Sequence, residues 1–149
     1  MVTNENLTCK QTVLECENHI LLWKNLTMKE SAVSYIDKRI QQTRVPASDY
    51  GATTQKEISG MSNADLARRE AQEGFASTTA SHLSLDNTLS ISQKGEILAE
   101  AYAQTAERKL HMAESSPTPS LKEAYLSESK RSEKIAQGLT RAAERSQDS

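Results

Sequence analysis

The amino-acid sequence predicts an all-α protein, an irregular bundle of three to five helices with a C-terminal antiparallel helical hairpin. Two observations support this fold class. In the first forty residues, one series of large side chains recurs every seven residues, which is a helical spacing. This series consists of Leu7, Leu14, Leu21, Met28 and Tyr35. In the last third of the chain, two alanine-rich amphipathic stretches are separated by SSPTPS, whose prolines cannot continue a helix.

The composition is that of a single domain with a thin core. The chain has 149 residues, and 36% of them are hydrophobic, with one Phe and one Trp. Leu, Ile, Ala and Tyr must therefore form most of the core, which we expect to be rich in alanine. The 18 basic and 20 acidic residues leave a net charge of −2. So small a charge argues against nucleic acid or anionic lipid as the partner.

The sequence predicts no membrane-spanning segment. No stretch approaches the roughly 18 apolar residues that a span requires, and the first residues, MVTNENLTCK, do not have the pattern of a secretory signal. We expect a cytoplasmic protein, with a nuclear location or delivery into a host cell as alternatives.

The two cysteines do not predict a disulfide or a metal site. Cys9 and Cys16 would lie roughly 10 Å apart along one helix, which is too far for a disulfide. Cys16 and His19 could share a metal ion, but Cys9 could not join them on a continuous helix. We therefore expect neither a metal nor another cofactor.

The sequence lacks the motifs of several common enzyme classes. No histidine follows a glutamate by three residues, as the di-iron helical bundles require. The sequence has no HExxH, no GxSxG and no GxxxxGK[ST]. We expect that the protein is not an enzyme.

Residues 1–44 are expected to form an N-terminal helix or a bent helix pair. Thr27 and Glu30 have the spacing of a capping box, which would divide this region into helices near 4–24 and 28–43. A single bent helix is the alternative.

Residues 45–91 are expected to form a linker and a Ser/Thr-rich middle with one short helix. VPASDYGATT has the Pro, Gly and small polar residues of a loop. SNADLARREAQEG predicts the short helix, with Ser62 as its N-cap. The following FASTTASHLSLDNTLSIS has no sustained apolar period. We interpret it as extended, flexible or ordered only with a partner.

Residues 92–149 are expected to form the helical hairpin. The stretch after Ser92, QKGEILAEAYAQTAERKLHMAE, predicts its first helix. Ser120 is expected to cap the second helix, with Glu123 at the reciprocal capping position. Four alanines lie near one stripe of the first helix, where small side chains let a neighbouring helix approach closely. They are Ala99, Ala103, Ala106 and Ala113.

The stretch MSNADLARREAQEG resembles the first half of a bacterial helix-turn-helix motif. The resemblance rests on about eight residues, chiefly a polar residue followed by Leu66, Ala67 and the basic pair Arg68 and Arg69. It implies a DNA-binding regulator built on residues 62–85. The sequence departs from the motif because Gly74 comes several residues late and FASTTASHLSLDN has no Arg or Lys to contact DNA.

The stretch NHILLWKNLT holds the single tryptophan and the densest run of large apolar residues. At about 100° per residue, these side chains cover more than one helix face. Part of the set could be enclosed within the protein's own bundle. The alternative is that four of them bind a partner, since tryptophan is common at interface hot spots. These four are Ile20, Leu22, Trp23 and Leu26.

Together these features favour a non-enzymatic helical protein-interaction module: an adaptor, a small regulatory subunit, a chaperone-like partner or a delivered effector. The expected partner is another protein or a second copy of the chain. Two alternatives stay open, a DNA-binding regulator that uses residues 62–85, and a small helical enzyme that binds a ligand or metal.

Overall fold

A computed structural model describes residues 28–45 and 60–147 of the protein. The described part contains five helices and no strand, so the predicted all-α class is confirmed. The helices are α1 (28–43), α2 (Asn63–Glu73), α3 (Ala76–Leu85), α4 (Ile91–Glu114) and α5 (Pro119–Gln147).

Helices α4 and α5 form the predicted antiparallel hairpin, and small residues bring them close together. The Ser92 hydroxyl donates to the Ala143 carbonyl at 2.9 Å, and the Ser129 hydroxyl donates to the Ala106 carbonyl at 2.7 Å. Both bonds are buried, and each joins a side chain of one helix to the backbone of the other. Backbones can approach this closely only where side chains are small, because a larger residue would separate the helices.

The first hairpin helix begins with a complete capping box. The Gln93 N–H donates to the Ser90 hydroxyl at 3.1 Å, and the Ser90 N–H donates to the Gln93 side-chain oxygen at 2.9 Å. Two backbone donors that have no partner within the helix are satisfied in this way. The helix therefore begins at Ile91, just before the stretch that the sequence predicted.

The second hairpin helix begins earlier than predicted, and Ser120 is not its N-cap. Helix α5 begins at Pro119, and the Leu121 N–H donates to the Thr118 hydroxyl at 3.4 Å. Proline is favoured at the first helical position, since its fixed φ suits the helix and the missing N–H would have no partner there. The expected roles of Ser120 and Glu123 in a capping box are therefore wrong.

The middle of the chain has two helices, where the sequence predicted one. Ser62 caps α2 as predicted, accepting the Asp65 N–H at 3.2 Å. Gly74 then ends α2 in the left-handed conformation, with φ of 79°, and α3 follows after one more residue. The Gly74 carbonyl accepts hydrogen bonds from Thr105 and Arg108, which fix this turn to α4.

Helix α3 was missed because its buried face is largely polar. Thr79, Ser81 and His82 are buried beside Leu83, so the apolar period is interrupted. The Thr79 hydroxyl donates to the Phe75 carbonyl at 2.7 Å, and the Ser81 hydroxyl to the Ser77 carbonyl at 3.0 Å. Hydroxyls that bond to the preceding helical turn can be buried at little cost.

Glu70 and His82 form a buried contact between α2 and α3. His82 Nδ1 lies 2.7 Å from Glu70 Oε2, and the imidazole is fully buried. A carboxylate oxygen can only accept, so Nδ1 carries the donated proton. The pair is shielded from solvent and joins two short helices whose apolar contacts are mostly alanines.

Asp86 orders the connection between α3 and α4. Its carboxylate accepts from the Thr88 N–H at 3.1 Å, the Thr88 hydroxyl at 2.7 Å and the Leu89 N–H at 2.8 Å. Burial raises the pKa of this carboxyl, but these hydrogen bonds and the charge of Lys94 outweigh burial and lower the pKa below its usual value. The stabilisation from Asp86 is therefore present at neutral pH and is lost as the pH falls through the lowered pKa.

Helix α1 packs along the hairpin, in the same direction as α4. Ile36 is fully buried at Gly95, and the Thr43 and Tyr102 hydroxyls lie 2.7 Å apart. Beyond the helix, the Val45 N–H donates to the Ser81 hydroxyl at 3.0 Å. Most of the buried apolar residues in the described part are alanines, as the composition predicted. Thr27, the predicted cap of this region, lies outside the described residues.

The start of α5 can be tested with two single substitutions. Thr118→Ala should lower the free energy of unfolding by about 1 kcal/mol, because it removes the side-chain acceptor at the N-cap. Ser120→Ala should change it by less than about 0.5 kcal/mol, since Ser120 is an exposed residue inside the helix. Urea unfolding followed by circular dichroism measures both. A larger loss for Ser120→Ala than for Thr118→Ala would contradict the observed cap.

The buried contact between α2 and α3 gives a second prediction. Glu70→Ala should lower the free energy of unfolding by about 1–3 kcal/mol, because it removes the carboxylate to which a fully buried imidazole donates. The matched control is Arg69→Ala, which removes an exposed ion pair with Glu73 at 3.8 Å and should cost less than about 1 kcal/mol. If both variants lose the same free energy of unfolding, the buried contact stabilises the protein no more than the exposed ion pair does.

Candidate protein-interaction surface

The four residues predicted to bind a partner, Ile20, Leu22, Trp23 and Leu26, lie outside the described residues. The structure therefore does not test them. The described part instead presents a surface feature that the sequence did not single out, on the flank of the C-terminal hairpin.

A groove with a volume of about 830 Å³ runs between α4 and α5. Among the described residues, only those of these two helices line it. The lining residues are Glu96, Ala99, Glu100 and Ala103 on α4, and Glu133, Ala136, Gln137, Thr140 and Arg141 on α5. We refer to this feature as the hairpin groove.

The hairpin groove and α1 lie on opposite flanks of the seam between α4 and α5. Gly95 and Tyr102 of α4 contact α1, and each is followed directly by a groove residue, Glu96 and Ala103. One residue corresponds to about 100° around a helix axis, so these residues face different directions. Helix α1 therefore covers one flank of the hairpin and leaves the groove flank to other contacts.

Small side chains form the floor of the hairpin groove. Ala99 and Ala136 are buried at the seam, whereas Ala103 is exposed. The sequence analysis predicted that Ala99 and Ala103 let a neighbouring helix approach closely, and Ala99 has this role toward α5. Ala103 has its methyl group on the surface, so the same stripe of alanines also produces an open floor.

Charged side chains form the rim. Three carboxylates, Glu96, Glu100 and Glu133, and one guanidinium, that of Arg141, surround the apolar floor. Glu96 accepts a hydrogen bond from the Gln147 side chain at 3.3 Å, and Arg141 Nε donates to the Gln137 carbonyl at 3.4 Å. An apolar strip bordered by charges suits an amphipathic occupant better than a wholly apolar one.

The strip continues toward the tip of the hairpin. Leu110 follows Ala103 by seven residues and Leu126 precedes Glu133 by seven, and two helical turns place each on the same side of its helix. Leu110 is 44% exposed, which is high for a leucine, and Leu126 is half-buried. From Glu96 to Leu110 the strip extends for about 21 Å at 1.5 Å per residue.

A second polar cluster of the described part lies away from the groove, between α2 and α3. The Glu70 and His82 side chains are almost entirely shielded from solvent there. Within residues 28–45 and 60–147, no group of three or more His, Cys, Asp and Glu side chains is placed to hold a metal ion. Cys9, Cys16 and His19 lie outside these ranges.

The segment that resembles a helix-turn-helix does form two helices, but the second is poorly placed to read DNA. Residues 79–83 of α3 are buried in the bundle, and α3 contains no Arg or Lys. The basic pair Arg68 and Arg69 is exposed on α2, where Arg69 lies 3.8 Å from Glu73. A recognition helix needs an exposed face that can enter the major groove.

Comparison with family models, with curated proteins and with solved structures finds no match for this chain. None of the described helices combines the length and the apolar character needed to cross a membrane.

Proposed function

We propose that the protein is a non-enzymatic protein-interaction module whose hairpin groove receives a helix of the partner. Such a module could be an adaptor, a small regulatory subunit, a chaperone-like partner or a delivered effector. The observation that carries the proposal is the groove itself, which has a floor of alanines and a volume of about 830 Å³. Among the described residues, only those of α4 and α5 line it. The proposal includes the cytoplasmic location that the sequence predicts.

A helix is the occupant that this shape fits best. The seam between two antiparallel helices offers a straight depression, and a third helix can insert a row of larger side chains into it. Alanines at Ala99, Ala103 and Ala136 leave room for leucine or isoleucine side chains from the occupant. The three glutamates and Arg141 would then remain in water beside the polar face of the occupant.

The size of the surface indicates a modest interface if only the groove is used. From Glu133 to Arg141 the groove covers about 12 Å of α5, which is little more than two helical turns. Stable protein interfaces bury roughly 1,200–2,000 Å² in total. A partner helix that also reached Leu110 and Leu126 would nearly double the length of contact and bury the exposed leucine.

The DNA-binding and enzymatic alternatives have no comparable support. Helix α3 has no Arg or Lys. The Glu70 and His82 pair is buried, with Glu70 7% and His82 0% exposed. A salt-dependent shift of duplex DNA by the purified protein would favour the DNA-binding regulator over the proposal.

One pair of variants tests the proposed role of the groove. Ala103→Arg places a long charged side chain across the exposed floor and should reduce partner capture about tenfold or more. Its matched control, Ala124→Arg, places the same side chain at an exposed alanine of α5 that does not line the groove. Each introduced arginine has a glutamate four residues later, Glu107 or Glu128, so the effects on helix stability are similar.

The measurement is affinity capture from the native source with quantitative mass spectrometry, using variants whose circular dichroism matches that of the wild type. The proposal expects proteins that the wild type and Ala124→Arg retain equally and that Ala103→Arg loses. If all three chains capture the same proteins in the same amounts, the groove is not the binding surface.

A further inference from the structure

We propose that the partner helix received by the hairpin groove carries a row of lysine or arginine side chains along the flank that lies over α4. The inference deepens the proposed function and rests on it, since it requires a groove that accepts a helix. The observation behind it is a row of carboxylates that forms the α4 edge of the groove and continues beside the apolar strip toward the hairpin tip.

Three glutamates of α4 form this edge, which we call the acidic row. Glu96 and Glu100 line the hairpin groove. Glu107 comes four residues after Ala103 of the groove floor and so borders the strip that leads to Leu110. Steps of four and seven residues keep the three glutamates within about 40° of one another around the helix axis. The acidic row extends for about 17 Å, roughly three helical turns.

The carboxylates of the acidic row are available to a partner. All three side chains are exposed, and none forms an ion pair with a described residue. Glu96 accepts a hydrogen bond from Gln147, whose side chain is neutral. Elsewhere on the hairpin, Glu128 is already paired with Lys109 at 3.0 Å. A cation brought by a partner would therefore meet carboxylates whose charge no ion pair with a described residue offsets.

The α5 edge of the groove has no comparable excess of charge. It holds one carboxylate, Glu133, and one guanidinium, that of Arg141. The net negative charge of the rim therefore lies along α4, and a partner helix gains most from cations on the flank over α4. Charges along the edges of packed helices determine in this way which helices pair.

The acidic row disfavours other occupants. Two hairpin grooves facing each other would bring the Glu96 and Glu100 carboxylates of one copy near carboxylates of the other, and juxtaposed like charges oppose association. The phosphates of nucleic acid or of anionic lipid would be repelled by the same charges. A helix with leucine or isoleucine toward the alanine floor and lysine or arginine toward α4 matches both the shape and the charge of the surface.

Two designed peptides test the inference with the full chain. Both are fluorescein-labelled helices of about 18 residues, long enough to span the acidic row, with leucines in one row and a hydrocarbon staple on the opposite face. One peptide has lysines along a single flank of the leucine row, and the other has glutamates at the same positions. Fluorescence anisotropy should give a dissociation constant at least about tenfold lower for the lysine peptide in about 50 mM salt. The ratio should shrink in about 500 mM salt, which screens exposed charges.

A matched pair of variants locates the effect. Glu100→Lys combined with Glu107→Lys should abolish or reverse the preference for the lysine peptide. The control combines Asp37→Lys with Glu123→Lys, which raises the net charge by the same amount at exposed positions outside the acidic row. It should keep the preference, because charges on other faces lie too far from the bound peptide. Circular dichroism establishes that each variant has the helical content of the wild type.

The inference fails if the wild type binds the two peptides equally well or if the control loses the preference as fully as the acidic-row variant. It also fails if the groove joins two copies of the chain, seen as a dimer that Ala103→Arg dissociates. Equal binding of both peptides that Ala103→Arg abolishes would leave the proposed function intact and remove only the preference for a basic helix. If neither peptide binds, the groove does not receive a helix, and the proposed function fails as well.

Discussion

The close approach of three helices at Gly95 is the constraint on which the described structure depends. A Cβ atom at this position would lie 2.9 Å from Ile36 Cδ1 and 3.4 Å from the Cβ atom of Ala143, so α1, α4 and α5 meet where α4 has no side chain. Ile36 is fully buried there. With one Phe and one Trp in the chain, large side chains cannot fill wide gaps between helices. Short interhelical distances, set by glycine, alanine and serine, provide the packing density instead.

The small size of the side chains at the helix contacts also explains the candidate site. Alanines that bring α4 and α5 together at the seam leave a shallow floor on whichever flank no other helix covers. Helix α1 fills the flank at Gly95, and the other flank remains as the hairpin groove, bordered by Glu96, Glu133 and Arg141. The interaction surface is therefore a direct result of how the bundle is built. A helix from a partner would pack on this flank as α1 packs on the first.

The hairpin was predictable from the sequence because its signals are local: helical periodicity in both stretches and two prolines between them. The start of α5 was misassigned because serine at 120 and threonine at 118 are both good caps, and only the position of Pro119 distinguishes them. Helix α3 was missed because Thr79 and His82 are buried through hydrogen bonds, which an apolar pattern does not register. The groove could not be predicted, since the sequence does not show which flank of the hairpin α1 covers.

The most direct test of the close approach compares Gly95→Ala with Gly138→Ala in urea unfolding followed by circular dichroism. Alanine favours a helix over glycine by about 1 kcal/mol at both positions. At Gly138 the added methyl meets the Tyr35 hydroxyl, the far end of a side chain that is 37% exposed and can swing away, so stability should be unchanged or rise by up to about 1 kcal/mol. At Gly95 overpacking costs about 1–3 kcal/mol and should outweigh the gain in helix propensity, giving a net loss. A Gly95→Ala protein as stable as Gly138→Ala would contradict the account.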